Sequence, residues 1–131
     1  MRIRRRSGLL ATIGLAVLMT SMTLPVAARD GDVQRTGDCS GQATWKLKAG
    51  PRDGGIEVEF EVDQNRVGQQ WRVRLTDNGD VFFRGIRTTM APSGSFEVQD
   101  RTRNRAGSDR IVGRAVNLNS GQVCRGVVTV G

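Results

Sequence analysis

Few residues in this 131-residue chain have side chains suited to catalysis or metal binding, and histidine is absent. Histidine is the commonest general base and metal ligand, so its absence removes Ser-His and Cys-His nucleophile pairs. Cys39 and Cys124, the two cysteines, are too few for a structural zinc site. No glycine-rich stretch has the spacing of a phosphate-binding loop. We therefore predict no catalytic residue, no cofactor and no metal site.

Carboxylates are the remaining groups that could support catalysis. Glu57, Glu59 and Glu61 alternate along one stretch, but a glycosidase needs two carboxyl groups that face each other across a cleft. A row on one strand face is exposed to water, so we interpret it as a solvated surface. Residues 77–80, DNGD, lack the further oxygen ligands of a calcium loop and fit a hairpin turn. A secreted carboxylate-dependent hydrolase remains the alternative to a non-catalytic protein.

The two cysteines are best explained as one crosslink. A lipid-modified cysteine directly follows the cleaved signal, whereas ten residues separate Cys39 from the cleavage site predicted below. An exported chain with two cysteines has one possible intramolecular pairing, so we predict a disulfide between Cys39 and Cys124. Closing so long a loop stabilises the fold by on the order of 4.5 kcal/mol in chain-entropy terms. An intermolecular bond is the alternative.

The chain begins with a pattern typical of a secretory signal peptide. A basic start precedes an uncharged, largely apolar stretch from Leu9 to Leu24, and Val26 and Ala28 provide the small residues of a cleavage site. We predict a signal peptide over residues 1–28 and a secreted, extracellular protein. An uncleaved anchor is the alternative, but this stretch is slightly short for a membrane span of about 20 residues.

The net charge of the full chain overstates how basic the mature part is. The chain has 20 basic and 13 acidic residues, a net charge of +7. Arg2, Arg4, Arg5 and Arg6 lie in the signal segment. Removing these four leaves 16 basic residues against 13 acidic ones, a net charge of +3. This excess, with a short basic run at 101–105 that has no interleaved aromatic residues, does not predict nucleic-acid binding.

Alternation of apolar and polar residues dominates after residue 38 and predicts strands. The clearest example, GIEVEFEVD, places its apolar residues on one face and its glutamates on the other. Asn78 and Gly79 predict a tight hairpin turn. Residues 29–38 are polar and predict a flexible spacer, and residues 39–131 predict one domain. Seven strands are predicted, at 44–49, 55–63, 70–76, 81–83, 96–99, 110–118 and 123–130.

This strand count and spacing predict an all-β fold, a seven-stranded immunoglobulin-like or fibronectin-like antiparallel β-sandwich. Trp71 falls on the third predicted strand, where such sandwiches often bury a tryptophan. The cysteines are not on the second and sixth strands, and the chain has no tyrosine for a tyrosine corner. The pattern therefore indicates a β-sandwich more firmly than a true immunoglobulin domain.

Four stretches also resemble small secreted β-sandwich proteins of unknown function from high-GC bacteria. They are CSGQATWKLKA, IEVEFEVDQNRVGQQWRVRL, APSGSFEV and GQVCRG. The resemblance covers Cys39 to Val130 and implies a secreted single β-domain. It implies no catalytic residues.

The alternation predicts two outer faces of different charge. We expect the strands at 44–49, 55–63 and 96–99 to form one sheet and the others the second, with 81–83 switching between them. The first outer face then leans acidic and allows cross-strand Lys–Glu pairs. It consists of Lys46, Lys48, Glu57, Glu59, Glu61, Glu97 and Gln99.

The outer face of the second sheet is predicted to gather arginines beside exposed aliphatic residues. In the preferred register of the sixth strand, Val112 and Val116 point outward; the alternative register buries both, with Leu118. A mixed arginine and aliphatic surface suits an anionic or protein partner. The predicted interaction face consists of Arg72, Arg74, Arg110, Arg114 and Arg125.

These observations favour a secreted, non-catalytic binding module. Its expected partner is an anionic cell-envelope polymer or another extracellular protein, and not nucleic acid. We expect membrane contact only through the signal segment before cleavage, and a monomeric protein.

Overall fold

A computed structural model describes residues 31–131, together with Gly14 and Ala16; the rest of the predicted signal peptide lies outside the described residues. The described chain forms eight strands and contains no helix, so it has none that is long and apolar enough to cross a membrane. The strands are β1 (Val33–Asp38), β2 (Thr44–Arg52), β3 (Gly55–Asp63), β4 (Gln70–Asp77), β5 (Asp80–Thr88), β6 (Ser95–Arg103), β7 (Asp109–Asn117) and β8 (Val123–Val130).

The strands form two antiparallel four-stranded sheets that pack face to face. The first sheet has the order β1-β2-β3-β6, and the second has the order β5-β4-β7-β8. All seven predicted strands are present, and β5 joins the second sheet. The predicted hairpin turn between β4 and β5 is also present, with positive φ angles of 48° at Asn78 and 88° at Gly79.

The core lies between the sheets and is built by alternate residues of each strand. On β3, Ile56, Val58, Phe60 and Val62 are fully buried, while the glutamates between them face outward. Trp71 is fully buried on β4, as the sequence predicts. The prediction of an all-β fold is confirmed.

The preferred register of the sixth predicted strand, now β7, is also confirmed. Ile111 and Ala115 are buried, and Val112 and Val116 are half-buried on the outer face. Gly113 also faces inward, and a Cβ atom there would lie 2.8 Å from the Phe60 ring. Small residues on the inner side of β7 therefore make room for a large side chain from β3.

The prediction of a spacer at residues 29–38 is wrong for β1. Residues Val33–Asp38 pair with β2 over their whole length, so the folded domain begins before Cys39. Most side chains of β1 are polar and exposed, and this edge strand joins the sheet through its backbone pairing with β2. Gly37 has a specific role, since a Cβ atom there would lie 2.6 Å from the ring of Trp45 on β2.

The predicted disulfide joins Cys39 to Cys124, with a Cα–Cα distance of 4.3 Å across 85 residues of sequence. Hydrogen bonds surround it. The Ser40 amide donates to the Val123 carbonyl at 2.8 Å, and the Val123 amide donates to Ser40 Oγ at 2.9 Å. The disulfide therefore fastens the turn before β2 to the start of β8, connecting the two sheets.

Candidate functional site

The five arginines predicted to form an interaction face all lie on the outer side of the second sheet. They alternate along their strands with buried residues; four are exposed, and Arg114 is half-buried. Arg84 on β5 is also exposed and lies opposite Arg74. We call this surface the arginine face. It consists of Arg72, Arg74, Arg84, Arg110, Arg114 and Arg125.

Four of these arginines form a single row across the sheet. Arg74 lies directly opposite Arg84 on β5 and Arg114 on β7, and Arg114 lies opposite Arg125 on β8. Directly opposite residues point to the same side of a sheet, and neighbouring strands lie about 4.8 Å apart. This arginine row therefore places one guanidinium on each strand and extends over about 14 Å at the backbone.

Arg84 is the member that sequence reasoning missed. The predicted strand ended at residue 83, whereas β5 continues to Thr88. A register shift between Leu75 and Thr76 then sets Arg84 opposite Arg74. The sequence RGIRT gives no clear alternation, because Ile86 is exposed and Arg87 lies opposite the buried Trp71. Only the strand pairing determines which arginines share a row.

Aliphatic residues border the arginine row on both sides. One neighbouring row has Arg72 between Ile86 and Val116, followed by Val123, and the other has Thr76, Val112 and Val127. A surface depression of about 370 Å³ crosses the central part of the row. Its lining consists of Arg72, Val73, Arg74, Arg84, Arg114 and Val116. The face thus has a concave, strongly cationic centre with apolar margins.

No carboxylate compensates the arginine row within residues 31–131. The outward strand positions of the second sheet include no acidic residue, and none of the ion pairs or side-chain hydrogen bonds observed there involves the row. Like charges directly opposite one another in a sheet are destabilising. The fold therefore carries an electrostatic cost on this face that internal pairing does not offset.

The outer face of the first sheet has a different arrangement, in which lysines on β2 lie opposite glutamates on β3, while Glu61 also lies opposite Glu97 on β6. Lys46 lies opposite Glu61 with an N–O distance of 3.5 Å, and Lys48 lies opposite Glu59 at 3.8 Å. Gln99 Nε2 donates to Glu57 Oε1 at 3.0 Å. The predicted Lys–Glu pairs are therefore present. We call this surface the lysine–glutamate face, made of the seven residues from Lys46 to Gln99 named above.

The basic run at 101–105 is separate from the arginine face. Arg105 forms an ion pair with Asp80 at 2.9 Å, and the Arg101 guanidinium donates to the Arg52 carbonyl. Both arginines line a depression of about 500 Å³ at the end of the molecule where β5 and β6 lie side by side. Arg101 and Arg103 lie on β6, and only Arg105 lies in the loop that follows.

A buried pair of aspartates lies near that same end, and sequence reasoning did not identify it. Asp77, the last residue of β4, and Asp109, the first residue of β7, are both fully buried. Thr102 Oγ1 donates to Asp77 Oδ2 at 2.9 Å. As carboxylates the two side chains only accept hydrogen bonds, so Asp77 Oδ1 and both Asp109 oxygens lack a donor among the described residues.

Burial raises the pKa of Asp77, and the neighbouring charge of Asp109 raises it further. The Thr102 hydroxyl and the Arg105 guanidinium oppose this shift. We call Asp77 and Asp109 the aspartate pair. The direction of the shift fits a pair that holds a proton inside the fold, where two adjacent carboxylates would repel each other.

Within the described residues, no group of three or more acidic or cysteine side chains is arranged to hold a metal ion. No family model matches this chain, and comparisons with curated proteins and with solved structures found no significant match. The candidate site therefore rests on its own geometry.

Proposed function

We propose that this chain is an exported, non-catalytic binding module that uses the arginine face to bind an anionic partner outside the cell. The uncompensated arginine row is the observation that carries the proposal. Repulsion between the arginines lowers the stability of the fold. An anionic partner relieves this repulsion when it binds, and the relief favours binding. The module acts as a monomer, with one such face on each molecule.

Export is supported by the signal-like start and by the disulfide. A small domain with few aromatic residues gains most from a crosslink in an oxidising environment. The bond between Cys39 and Cys124 links the two sheets covalently across 85 residues of sequence. Cleavage after Ala28 would leave four residues before β1.

An immunoglobulin-like fold is supported by the strand order. Starting from β2, the first sheet has the order β2-β3-β6 and the second β5-β4-β7-β8. This distribution matches immunoglobulin-like sandwiches in which the strand after the third one joins the second sheet. On this assignment β1 is an additional strand at the edge of the first sheet. Such sandwiches commonly act as binding modules, an analogy of fold alone.

The alternative, a carboxylate-dependent hydrolase, has one observation in its favour. Asp77 and Asp109 are neighbouring carboxyl groups, the arrangement that acid–base catalysis by paired carboxylates requires. Both are fully buried, and neither lines the depression beside them. A substrate has no path to the aspartate pair in this conformation, so we favour the binding module.

The proposed function is tested by retention on the cell envelope. The protein without residues 1–28 is incubated with envelope preparations of the producing cell, and the bound fraction is measured over a series of salt concentrations. We expect salt-sensitive binding by the wild type and its loss in the variant Arg72→Glu/Arg74→Glu/Arg114→Glu. The matched control, Arg66→Glu/Arg101→Glu/Arg103→Glu, has the same net charge and changes exposed residues away from the arginine face.

Equal retention of the wild type and the Arg72, Arg74 and Arg114 variant would refute the arginine face as the binding surface. Equal loss in both charge-reversed variants would attribute binding to net charge alone. Far-ultraviolet circular dichroism and thermal unfolding of each variant establish that the fold is intact.

A further inference from the structure

The geometry of the arginine row limits the classes of anionic partner that fit it. This inference rests on the function proposed above. We propose that the arginine row binds a linear phosphodiester polymer of polyols that carries no bases. The occupant lies along the row of Arg84, Arg74, Arg114 and Arg125, perpendicular to the strands.

The first step is the shape of the charged surface. A row of about 14 Å is longer than a single phosphate or carboxylate group, so filling it takes several anions connected in one chain. The rows on either side are mainly aliphatic, with Arg72 in one of them, so most of the positive charge lies along the arginine row. The depression at Arg72, Arg74, Arg84 and Arg114 includes the central part of the row and gives a chain a concave surface to lie on.

The second step is hydrogen-bond chemistry. Each guanidinium offers five donors and no acceptor, and its planar fork matches the oxygens of phosphate. Besides the arginines, the outward positions of the second sheet carry mainly valine, isoleucine and threonine. A surface made almost wholly of donors suits a ligand made almost wholly of acceptors. A phosphodiester chain comes close to that condition because its phosphate and ester oxygens only accept, and a glycerol unit adds a single hydroxyl group between them.

The third step separates this ligand from two other polyanions. Each sugar of an acidic polysaccharide has more than one free hydroxyl group, whereas a glycerol phosphate unit has one, and within residues 31–131 the arginine face presents no carboxylate to accept from these donors. Single-stranded nucleic acid is normally held by aromatic side chains that stack on its bases. The face offers aliphatic residues at those margins, such as Ile86 and Val127, which suit the CH₂ groups of a polyol.

The test is equilibrium binding of the protein without residues 1–28 to a fluorescent glycerol phosphate oligomer with about eight phosphates, long enough to cover the row. The comparison probes are an oligogalacturonate with the same number of charges, an oligothymidylate of the same length and monomeric glycerol phosphate. If four phosphates are neutralised, log K against log salt concentration should fall with a slope of about −3.

We expect the glycerol phosphate oligomer to bind at least tenfold more tightly than either comparison polymer, with no measurable binding of the monomer. The variant Arg74→Glu/Arg114→Glu should lose at least tenfold in affinity. The matched control Arg66→Glu/Arg103→Glu, with the same charge change at exposed residues outside the face, should bind like the wild type.

Two results would overturn this inference while leaving the proposed function standing. Equal or tighter binding of the oligogalacturonate or the oligothymidylate would show that the row does not select phosphodiester polyols. If the protein does not bind the glycerol phosphate oligomer, but its salt-sensitive retention on the envelope still needs Arg74 and Arg114, the arginine face binds another anionic partner. Equal loss of affinity in both charge-reversed variants would overturn the role of the row itself. If circular dichroism shows that Arg74→Glu/Arg114→Glu is not folded like the wild type, the variant Arg74→Gln/Arg114→Gln is measured in its place. We expect the same loss of affinity for it.

Discussion

Like charges meet at the arginine row and at the aspartate pair, and the surroundings of the two places differ. The arginines stand directly opposite one another on an outer face, where water and salt weaken their repulsion. The aspartates are fully buried, where repulsion is little screened, and burial together with the charge of Asp109 raises the pKa of Asp77. A guanidinium stays charged over the whole physiological pH range, whereas a carboxyl group can take up a proton.

This difference separates a surface available to a partner from an internal structural feature. The arginine row keeps its charge and its accessibility, so an external anion can relieve the repulsion. In the aspartate pair the Thr102 hydroxyl donates to Asp77, and the raised pKa of Asp77 favours its uptake of a proton, so the repulsion is relieved inside the fold. The effect of substitutions on stability should therefore depend on pH at the aspartate pair and on salt concentration at the arginine row.

The largest effect is expected for Asp109→Asn. The raised pKa of Asp77 means that the folded protein keeps a proton that the unfolded chain loses at the ordinary value near 3.8. The free energy of unfolding should therefore fall as pH rises from about that value through the raised pKa of the folded state. An amide at 109 removes one charge and donates to Asp77, so we expect a gain of about 1–3 kcal/mol at pH 8 and little change at pH 4.

Urea denaturation at several pH values measures this difference. The control is Asp53→Asn, in the exposed turn between β2 and β3, which should leave the pH dependence as it is in the wild type. A gain of the same size at both pH values would contradict the raised pKa of Asp77.

The next largest effect, a loss of stability, is expected for Thr102→Val. This change removes the hydroxyl donor to Asp77 Oδ2 with little change of shape. We expect the free energy of unfolding at pH 7 to fall by about 1–2 kcal/mol. In an Asp77→Asn background the loss should shrink, because the hydroxyl no longer faces a carboxyl group; this double-mutant cycle measures the coupling. An unchanged loss would assign the effect of Thr102 to packing.

A gain of stability is expected when the arginine row is interrupted. Arg74 has an arginine directly opposite on each side, so Arg74→Gln removes two repulsive contacts and keeps most of the side chain. We expect a gain of about 0.5 kcal/mol at low ionic strength. The gain should vanish near 1 M salt, where the screening length is about 3 Å. Thermal unfolding at both salt concentrations provides the measurement, and a loss of stability at low salt would contradict the repulsion.

The smallest effect, opposite in sign, is expected on the lysine–glutamate face. Lys48 faces Glu59 at 3.8 Å and Asp32 at the same distance. Lys48→Gln, the same chemical change away from a cation as Arg74→Gln, should lower the free energy of unfolding by about 0.3 kcal/mol. Measured side by side at low salt, the two variants should change the free energy of unfolding in opposite directions. A change in the same direction would mean that the pairing of the cation does not distinguish Lys48 from Arg74.

Sequence patterns predicted most of the fold because most of it depends on local alternation. The apolar periodicity of GIEVEFEVD identified the inner face of β3, and Asn78–Gly79 identified the turn after β4. The same reasoning failed for β1, whose pairing relies on backbone groups that a polar sequence does not reveal. It also ended β5 early, because the residues after Phe83 include a glycine and an exposed isoleucine that weaken the alternation.

The sequence by itself determined which side of each predicted strand is apolar, that the two cysteines have one intramolecular pairing, and that arginines accumulate on one outer face. These features follow from residue type and from a period of two along each strand. The tertiary structure decided which residues meet across strands. The pairing of β5, β4, β7 and β8 aligned Arg84 with Arg74, Arg114 and Arg125, and the packing of strand ends buried Asp77 beside Asp109. Register and packing are relations between distant segments, and no local pattern encodes them.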